Sequence, residues 1–238
     1  TIHDVAFKEF PEAYPRRERW YTDHATRLAV RHADRIIAPT HAVARDLERY
    51  YGCDPQKVTV IHHGVDLRIA NSAQWDSRFQ IPDSRFLLYV GRLESKKNVV
   101  RMIEAFDRVA SQYPNIHLVL AGNPGHGYEN IRAAITRSPF RDRIATPGWI
   151  DPATYHALLA RASLFLFPTL AEGFGLPILE AMAAGVPVIT SKGHAHEEVA
   201  GDAAMLVDPT ETDDITRGII RVLSDARLCN DLVQKGKH

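Results

Sequence analysis

Short apolar runs alternate with helix-period patterns along the whole chain. Two runs, at 86–90 and 164–167, are apolar at every position, which predicts strands covered on both faces. Further strands are predicted at 2–5, 35–39, 58–62, 117–121, 144–146, 187–190 and 205–207. Helices are predicted at 19–31, 41–51, 98–111, 131–137, 151–161, 176–184, 196–200 and 211–223. Such alternation implies crossover units and parallel sheets with helices on both faces. The stretch 66–84 breaks the pattern, being polar and without clear periodicity, so it reads as a junction. The predicted organisation is a partial first domain over 1–66, a linker over 67–84 and a second domain over 85–238. Six predicted strands follow the junction, enough for a complete doubly wound sheet, whereas the three before it are too few for an independent one.

Composition changes this picture mainly by exclusion. Of 238 residues, 45% are hydrophobic and 24% charged, an ordinary globular balance. Twenty-nine basic and 29 acidic side chains cancel, so no net field recruits nucleic acid or an anionic membrane. No apolar run approaches the roughly 18 residues of a membrane span. Cys53 and Cys229 have neither metal nor redox spacing, which predicts a reducing cytoplasm. No signal peptide is evident, and the start at Thr1 rather than methionine suggests a fragment.

The chemistry concentrates between Glu172 and Gly185. Gly173 and Gly175 allow close backbone approach to a ligand, Pro177 suits the first turn of a helix, and Gly185 is its stop. The helix start offers amide donors and a partial positive charge, a seat for phosphate. Glu172 and Glu180 would repel a phosphate, so they are read as acceptors for hydroxyls, as on a ribose and a hexose. The bland reading, acids at a helix start, suits either glutamate alone but not the pair in this setting. A second block, Gly91-Arg92-Leu93-Glu94-Ser95-Lys96-Lys97-Asn98, follows the first strand of the second domain, where open sheets bind ligands. Arg92 and Lys97 can flank a pyrophosphate, and Asn98 is expected to cap the next helix.

These blocks, with Ala121-Gly122, Pro147-Gly148-Trp149-Ile150 and His63-Gly64-Val65-Asp66, resemble the large retaining glycosyltransferase group called family 4, or group 1. The likeness covers nearly the whole chain and is most specific in the Glu-x7-Glu block. It implies an α/β, GT-B-like fold of two Rossmann-like doubly wound parallel sheets, the N-terminal one incomplete. It implies a nucleotide diphosphate sugar donor bound by Gly91, Arg92, Lys97, Trp149, Ile150, Glu172, Gly173, Phe174, Gly175, Leu176 and Glu180. Within that set Arg92 and Lys97 would hold the diphosphate, Glu172 the sugar hydroxyls, Glu180 the ribose diol, and the Trp149-Ile150 backbone the base. His3, followed by Asp4, matches a family His-Asp pair, so the catalytic set is His3, Glu172, Arg92 and Lys97. The implied reaction moves a hexose, with mannose from GDP-mannose as the guess, to a glycan or lipid-linked acceptor, retaining the anomeric configuration. No metal cofactor and no nucleic-acid partner are expected, and the chain is at most peripheral to the inner face of a membrane. Two other readings share the scaffold: a nucleotide-sugar 2-epimerase and a non-catalytic nucleotide-sugar-binding module. Relative to the family, the chain is expected to be truncated at both ends, with strands before His3 and a crossing last helix outside it.

The remaining candidates are weaker. His62 and His63 are predicted to face opposite ways on extended backbone, and Gly64 to meet a backbone requirement. His194 and His196 with Glu197 and Glu198 suggest a metal set, but a loop and helix start near the donor, or a solvent-facing stretch, is favoured. Arg16-Arg17-Glu18-Arg19-Trp20-Tyr21 reads either as a patch for an acceptor or membrane surface or, as favoured, a helix start with Trp20 packed inward. Asp23, Asp142 and Asp151 read as helix or turn signals.

Overall fold

A computed structural model describes residues 1–65 and 85–237. The predicted linker, and Asp66 of the motif that begins at His63, lie outside the described residues. The first part contains α1 (Arg16–His32), β1 (Ile36–Ala38), α2 (His41–Tyr51) and β2 (Val58–Val60). β1 and β2 pair in parallel, with Ile36 opposite Val58. α2 has the predicted limits: the Thr40 hydroxyl accepts the Val43 amide at 3.2 Å, and Gly52 closes the helix in the left-handed region. The strand predicted at 2–5 does not form. Ile2 N–H reaches the Ile37 carbonyl at 2.9 Å, but Asp4 Oδ1 then accepts the Ala6 amide at 3.2 Å. That local acceptor turns the backbone away from a ladder.

The second part holds β3 (Arg85–Val90), α3 (Val99–Ala110), β4 (Ile116–Ala121), α4 (Tyr128–Arg137), β5 (Ile144–Gly148), α5 (Pro152–Arg161), β6 (Leu164–Phe167), α6 (Leu176–Ala183), β7 (Val188–Ser191), α7 (His194–Ala200), β8 (Met205–Val207), α8 (Thr212–Ser224) and α9 (Ala226–Lys235). Its strands form one parallel sheet in the order β5-β4-β3-β6-β7-β8. The direction of winding reverses between β3 and β6, so their following loops diverge and leave a crevice at the carboxyl ends. The two continuously apolar runs are these central strands, and Leu87, Leu88, Leu164, Phe165 and Leu166 have no exposed surface. α9 was not predicted. Asp225 both closes α8 and caps α9, accepting the Arg227 and Leu228 amides, so no loop separates the two helices.

Two expectations are corrected by packing. Trp20 does not pack inward but is 71% exposed on α1, and the adjacent Tyr21 is 70% exposed. Asn98 precedes α3 but makes no side-chain cap; its backbone is left-handed (φ 61°). Its buried amide group instead donates to the carbonyls of Pro168 (2.9 Å) and Pro209 (2.7 Å), and its Oδ1 accepts from Arg101 (3.0 Å). One side chain thereby ties the loops after β3, β6 and β8 together. Asn98→Ala should lower the unfolding free energy by about 3 kcal/mol, since two buried carbonyls lose their donor. Urea denaturation checks this; a loss below about 1 kcal/mol would mean the two bonds are replaceable.

Candidate donor-binding site

The loops after β3 and β6 face each other across the crevice and are stitched together. Leu170 N–H donates to the Lys96 carbonyl at 3.0 Å, and Asn98 holds the Pro168 carbonyl. A 3-10 turn at Ser95–Lys97, followed by left-handed Asn98, aims Lys97 back over the Phe167 ring, 5.7 Å from its centroid. There Lys97 Nζ pairs with the Glu172 carboxylate, both side chains being about 15% exposed. The loop after β6 is also braced from β7: Thr190 Oγ1 donates to the Phe167 carbonyl (3.0 Å) and Ser191 Oγ to the Thr169 carbonyl (2.6 Å).

Gly173 lines the smaller cavity described below and carries a further burden. A Cβ there would collide with the His3 carbonyl, so the missing side chain also admits the chain's own His3-Asp4 segment. The Gly173 carbonyl accepts from Thr40 Oγ1 at 3.1 Å, which docks the start of α2 on the same loop. Gly175 precedes α6 with φ 100°, a conformation that favours glycine; Pro177 has no N–H and the Ile178 amide donates to the Gly175 carbonyl at 2.9 Å, which leaves the Leu176 amide as the first-turn donor without a carbonyl in its helix. Phe174 is buried against the His62 and His63 rings (centroids 6.0 and 5.0 Å), so its contribution to the crevice is its backbone and ring edge.

Two cavities adjoin through Val90 and Gly91. The smaller, about 250 Å³, is lined by His3, Asp4, His63, Lys97, Glu172 and the Gly173–Pro177 segment among others. The larger, about 590 Å³, is lined by Arg92, Asn123, Trp149, Ile150, Tyr155, His156 and Glu180 among others. All predicted site residues therefore meet at one crevice, but they divide: Lys97 and Glu172 at one end, Arg92 and Glu180 at the other. Arg92 is largely exposed, 4.0 Å from Glu94, and its carbonyl is held by the buried Tyr89 hydroxyl at 2.9 Å. His3 stacks on His63, with ring centroids 5.7 Å apart, and Trp149 is 66% exposed at the mouth of the larger cavity.

Tyr155 escaped the sequence reading. Its hydroxyl donates to Glu180 Oε2 at 2.5 Å, fixing that carboxylate toward the cavity. Burial, and then the Glu180 carboxylate, push the phenol well above its ordinary pKa, so it stays a donor. The available signal was a tyrosine one turn into the helix that follows Trp149-Ile150. Tyr14, whose buried hydroxyl has no partner among the described residues, is raised in the same direction by burial and by Asp4, Glu172 and Glu94.

His194 and His196 lie at the start of α7, as favoured over a metal set, and with Glu197 they take separate partners. His194 pairs with Glu9 (3.4 Å), Glu197 accepts the Gly193 amide (2.7 Å), and His196 is fully buried against Thr169 Oγ1 (2.7 Å). His62 meets Glu198 at 3.1 Å and His63 stacks on His3, but both rings also lie against Phe174, so the two do not face wholly opposite ways as expected. Gly64 has neither positive φ nor a close neighbour among the described residues, so the backbone requirement expected of it is not found there. Asp151 does cap α5, accepting the Thr154 amide at 3.0 Å. No described helix is long and apolar enough to cross a membrane.

Comparison with known proteins gives the same picture. Residues 72–238 match the family model "Glycosyl transferases group 1", and residues 1–69 match "Glycosyltransferase Family 4". The chain is 27% identical to the O-antigen chain mannosyltransferase B of Escherichia coli, over 94% of this chain and 61% of that protein. It is 28% identical to the MMP alpha-(1->4)-mannosyltransferase of Mycolicibacterium hassiacum, over 94% of this chain and 54% of the relative. Among solved structures it is similar to Anabaena HepE in complex with UDP and glucose, with a TM-score of 0.80 at 22% identity, covering 95% of this chain and 62% of that one. The chain thus spans little more than half the length of these relatives.

Burial holds the His196 imidazole neutral, with its pKa down at about 3 against an ordinary 6.5; His194 and Lys97 add to the effect. Between those values the unfolded chain binds a proton that the folded chain does not. Stability therefore falls as pH drops from 6.5 toward 3, by about tenfold in the folded-to-unfolded ratio per pH unit from this residue. His196→Gln should flatten that slope by one proton, measured by urea unfolding at several pH values; an unaltered slope would show that His196 is protonated in the fold.

Proposed function

The chain belongs to the family of glycosyl transferases group 1, with the GT-B fold, and from that premise we propose that it binds a nucleotide diphosphate sugar in the crevice between β3 and β6. It transfers the hexose, with retention at the anomeric carbon, to a hydroxyl of a glycan or lipid-linked acceptor. One observation carries this reading: two adjoining cavities share Val90 and Gly91, with a cation–carboxylate pair in one and a carboxylate beside an exposed indole in the other. That division suits a bipartite ligand, sugar at one end and nucleoside at the other. Residues 85–238 act as the donor-binding domain and 1–66 as part of the acceptor side. The mannosyltransferases among the relatives support mannose as the hexose.

In this scheme the nucleoside occupies the larger cavity, with its base beside Trp149 and Ile150 and its ribose diol on Glu180. Tyr155 positions Glu180 and is not itself a reacting group. The diphosphate lies over Gly91, between Arg92 and Lys97, and faces the start of α6. Those cations and the helix N-terminus take up the charge that develops as the bond from sugar to phosphate breaks. One preorganised donor of this kind contributes about 3 kcal/mol, roughly a hundredfold in rate. The scheme draws its positive charge from the protein. Glu172 turns between Lys97 and the sugar hydroxyls, and His3 closes the sugar end from the other side. A two-carboxylate displacement fits poorly: Asp4 Oδ1 is engaged by the Ala6 amide and Glu172 by Lys97. The leaving phosphate oxygen is then the base that takes the acceptor proton. The exposed Trp20 and Tyr21 beside Arg16 and Arg17 support a weak peripheral contact with a membrane surface.

Calorimetry with nucleoside diphosphates and their sugars tests the site. Lys97→Ala should weaken nucleoside diphosphate binding at least tenfold. Glu180→Ala should lose the preference for a ribose over its 2′,3′-dideoxy analogue, because only the intact carboxylate leaves an unpaired acceptor when the diol is missing. Equal binding of the two sugars by the unmodified protein would remove Glu180 from this role.

A further inference from the structure

The start of α2 meets α7 at a cluster outside both cavities. Glu198 on α7 accepts the His41 amide with Oε1 (2.7 Å) and the Ala42 amide with Oε2 (2.9 Å). Its Oε1 also faces His62 Nε2 at 3.1 Å. The His41 and His62 rings stand perpendicular, with centroids 6.3 Å apart. One ligand-capable atom from each of His41, His62 and Glu198 lies within 4.8 Å of the others. The glutamate is held in place by two backbone amides, whereas both imidazoles are exposed and can adjust around it.

We propose that His41, His62 and Glu198 form a site for a divalent cation of the zinc class. Two imidazoles and one carboxylate oxygen are a donor set zinc accepts, with ligand bonds of about 2.0–2.2 Å and a fourth position left to water. Hard cations such as magnesium and calcium prefer oxygen ligands throughout and are disfavoured here. Glu198 Oε1 keeps one lone pair on the His41 amide and offers the other to the ion. His62 turns the lone pair of Nε2 to the metal in place of its hydrogen bond to Glu198. None of the three residues lines either cavity of the donor site, so the ion takes no part in the transfer. Its place is structural: it would clamp the segments before and after the undescribed stretch 66–84, beside Phe174, whose ring lies 6.0 Å from that of His62.

The test uses untagged protein freed of metal by chelation, then titrated with zinc chloride. Calorimetry should give one strong site per chain. Zinc at a hundred times its dissociation constant should raise the melting temperature by about 5 °C or more. Cobalt in place of zinc should show the visible absorption of a tetrahedral nitrogen–oxygen site. His41→Ala and His62→Ala, both at exposed side chains, should each weaken zinc at least tenfold, while His32→Ala on α1 leaves it unchanged. Absence of binding overturns the proposal, as does binding that survives both His41→Ala and His62→Ala. Magnesium matching zinc would equally overturn it, since imidazole ligands could not then be responsible.

Discussion

A missing Cβ governs how this structure assembles. At Gly173 the loop after β6 comes so close to the His3 carbonyl that any side chain would displace one or the other. Because nothing stands there, the first segment lies directly on the loop, and Thr40 can reach the Gly173 carbonyl from the start of α2. The consequence is chemical as well as steric. His3, Asp4 and His63 line the same cavity as Lys97 and Glu172 only because the backbones meet at this point. A glycine that looks like a ligand-binding device is also the contact between two parts of the chain.

The loop after β3 is held by polar ties as well as by the buried Leu93 side chain. Asn98 accepts an unusual backbone conformation and loses its capping role, yet it satisfies two carbonyls from distant loops. An asparagine tolerates the left-handed region better than most residues while still carrying an amide to donate. Glycine would suit the backbone but supply no donor. Glu198 plays a comparable part across the junction, where its carboxylate completes the amino end of α2. Asn98 forgoes a local cap for its long-range bonds, whereas Glu198 makes its own from within α7.

This explains what could be read from the chain alone. The central strands were legible because burial on two faces leaves an unbroken apolar run, and 164–167 needed no revision. The limits of α2, predicted at 41–51, needed no revision; Thr40 and Gly52, which the sequence reading did not single out, close its ends locally. The crevice was legible through Gly91, Glu172 and Glu180, whose neighbours form recognisable blocks. What stayed hidden was every pairing across long separations: Lys97 with Glu172, Tyr155 with Glu180, Asn98 with Pro209. Neither periodicity nor composition encodes such partners. Trp20 failed for another reason, since size and apolarity predict burial only when a surface exists to receive the ring.

The Lys97–Glu172 pair then makes sense as more than an ion pair. Left alone in a half-enclosed crevice, either charge would pay for lost hydration without compensation. Paired, they hold the loops after β3 and β6 together. In the proposed scheme an arriving phosphate offers Lys97 a second anion, and sugar hydroxyls offer Glu172 new donors. Each partner is thus met again as the other is shared, so binding exchanges one set of charge-assisted bonds for another rather than stripping a charge bare. A lysine suits this exchange better than an arginine, because its three donors on a single point charge can be divided between two acceptors without losing a planar fork. The resting contact and the proposed working contact are therefore built from the same atoms.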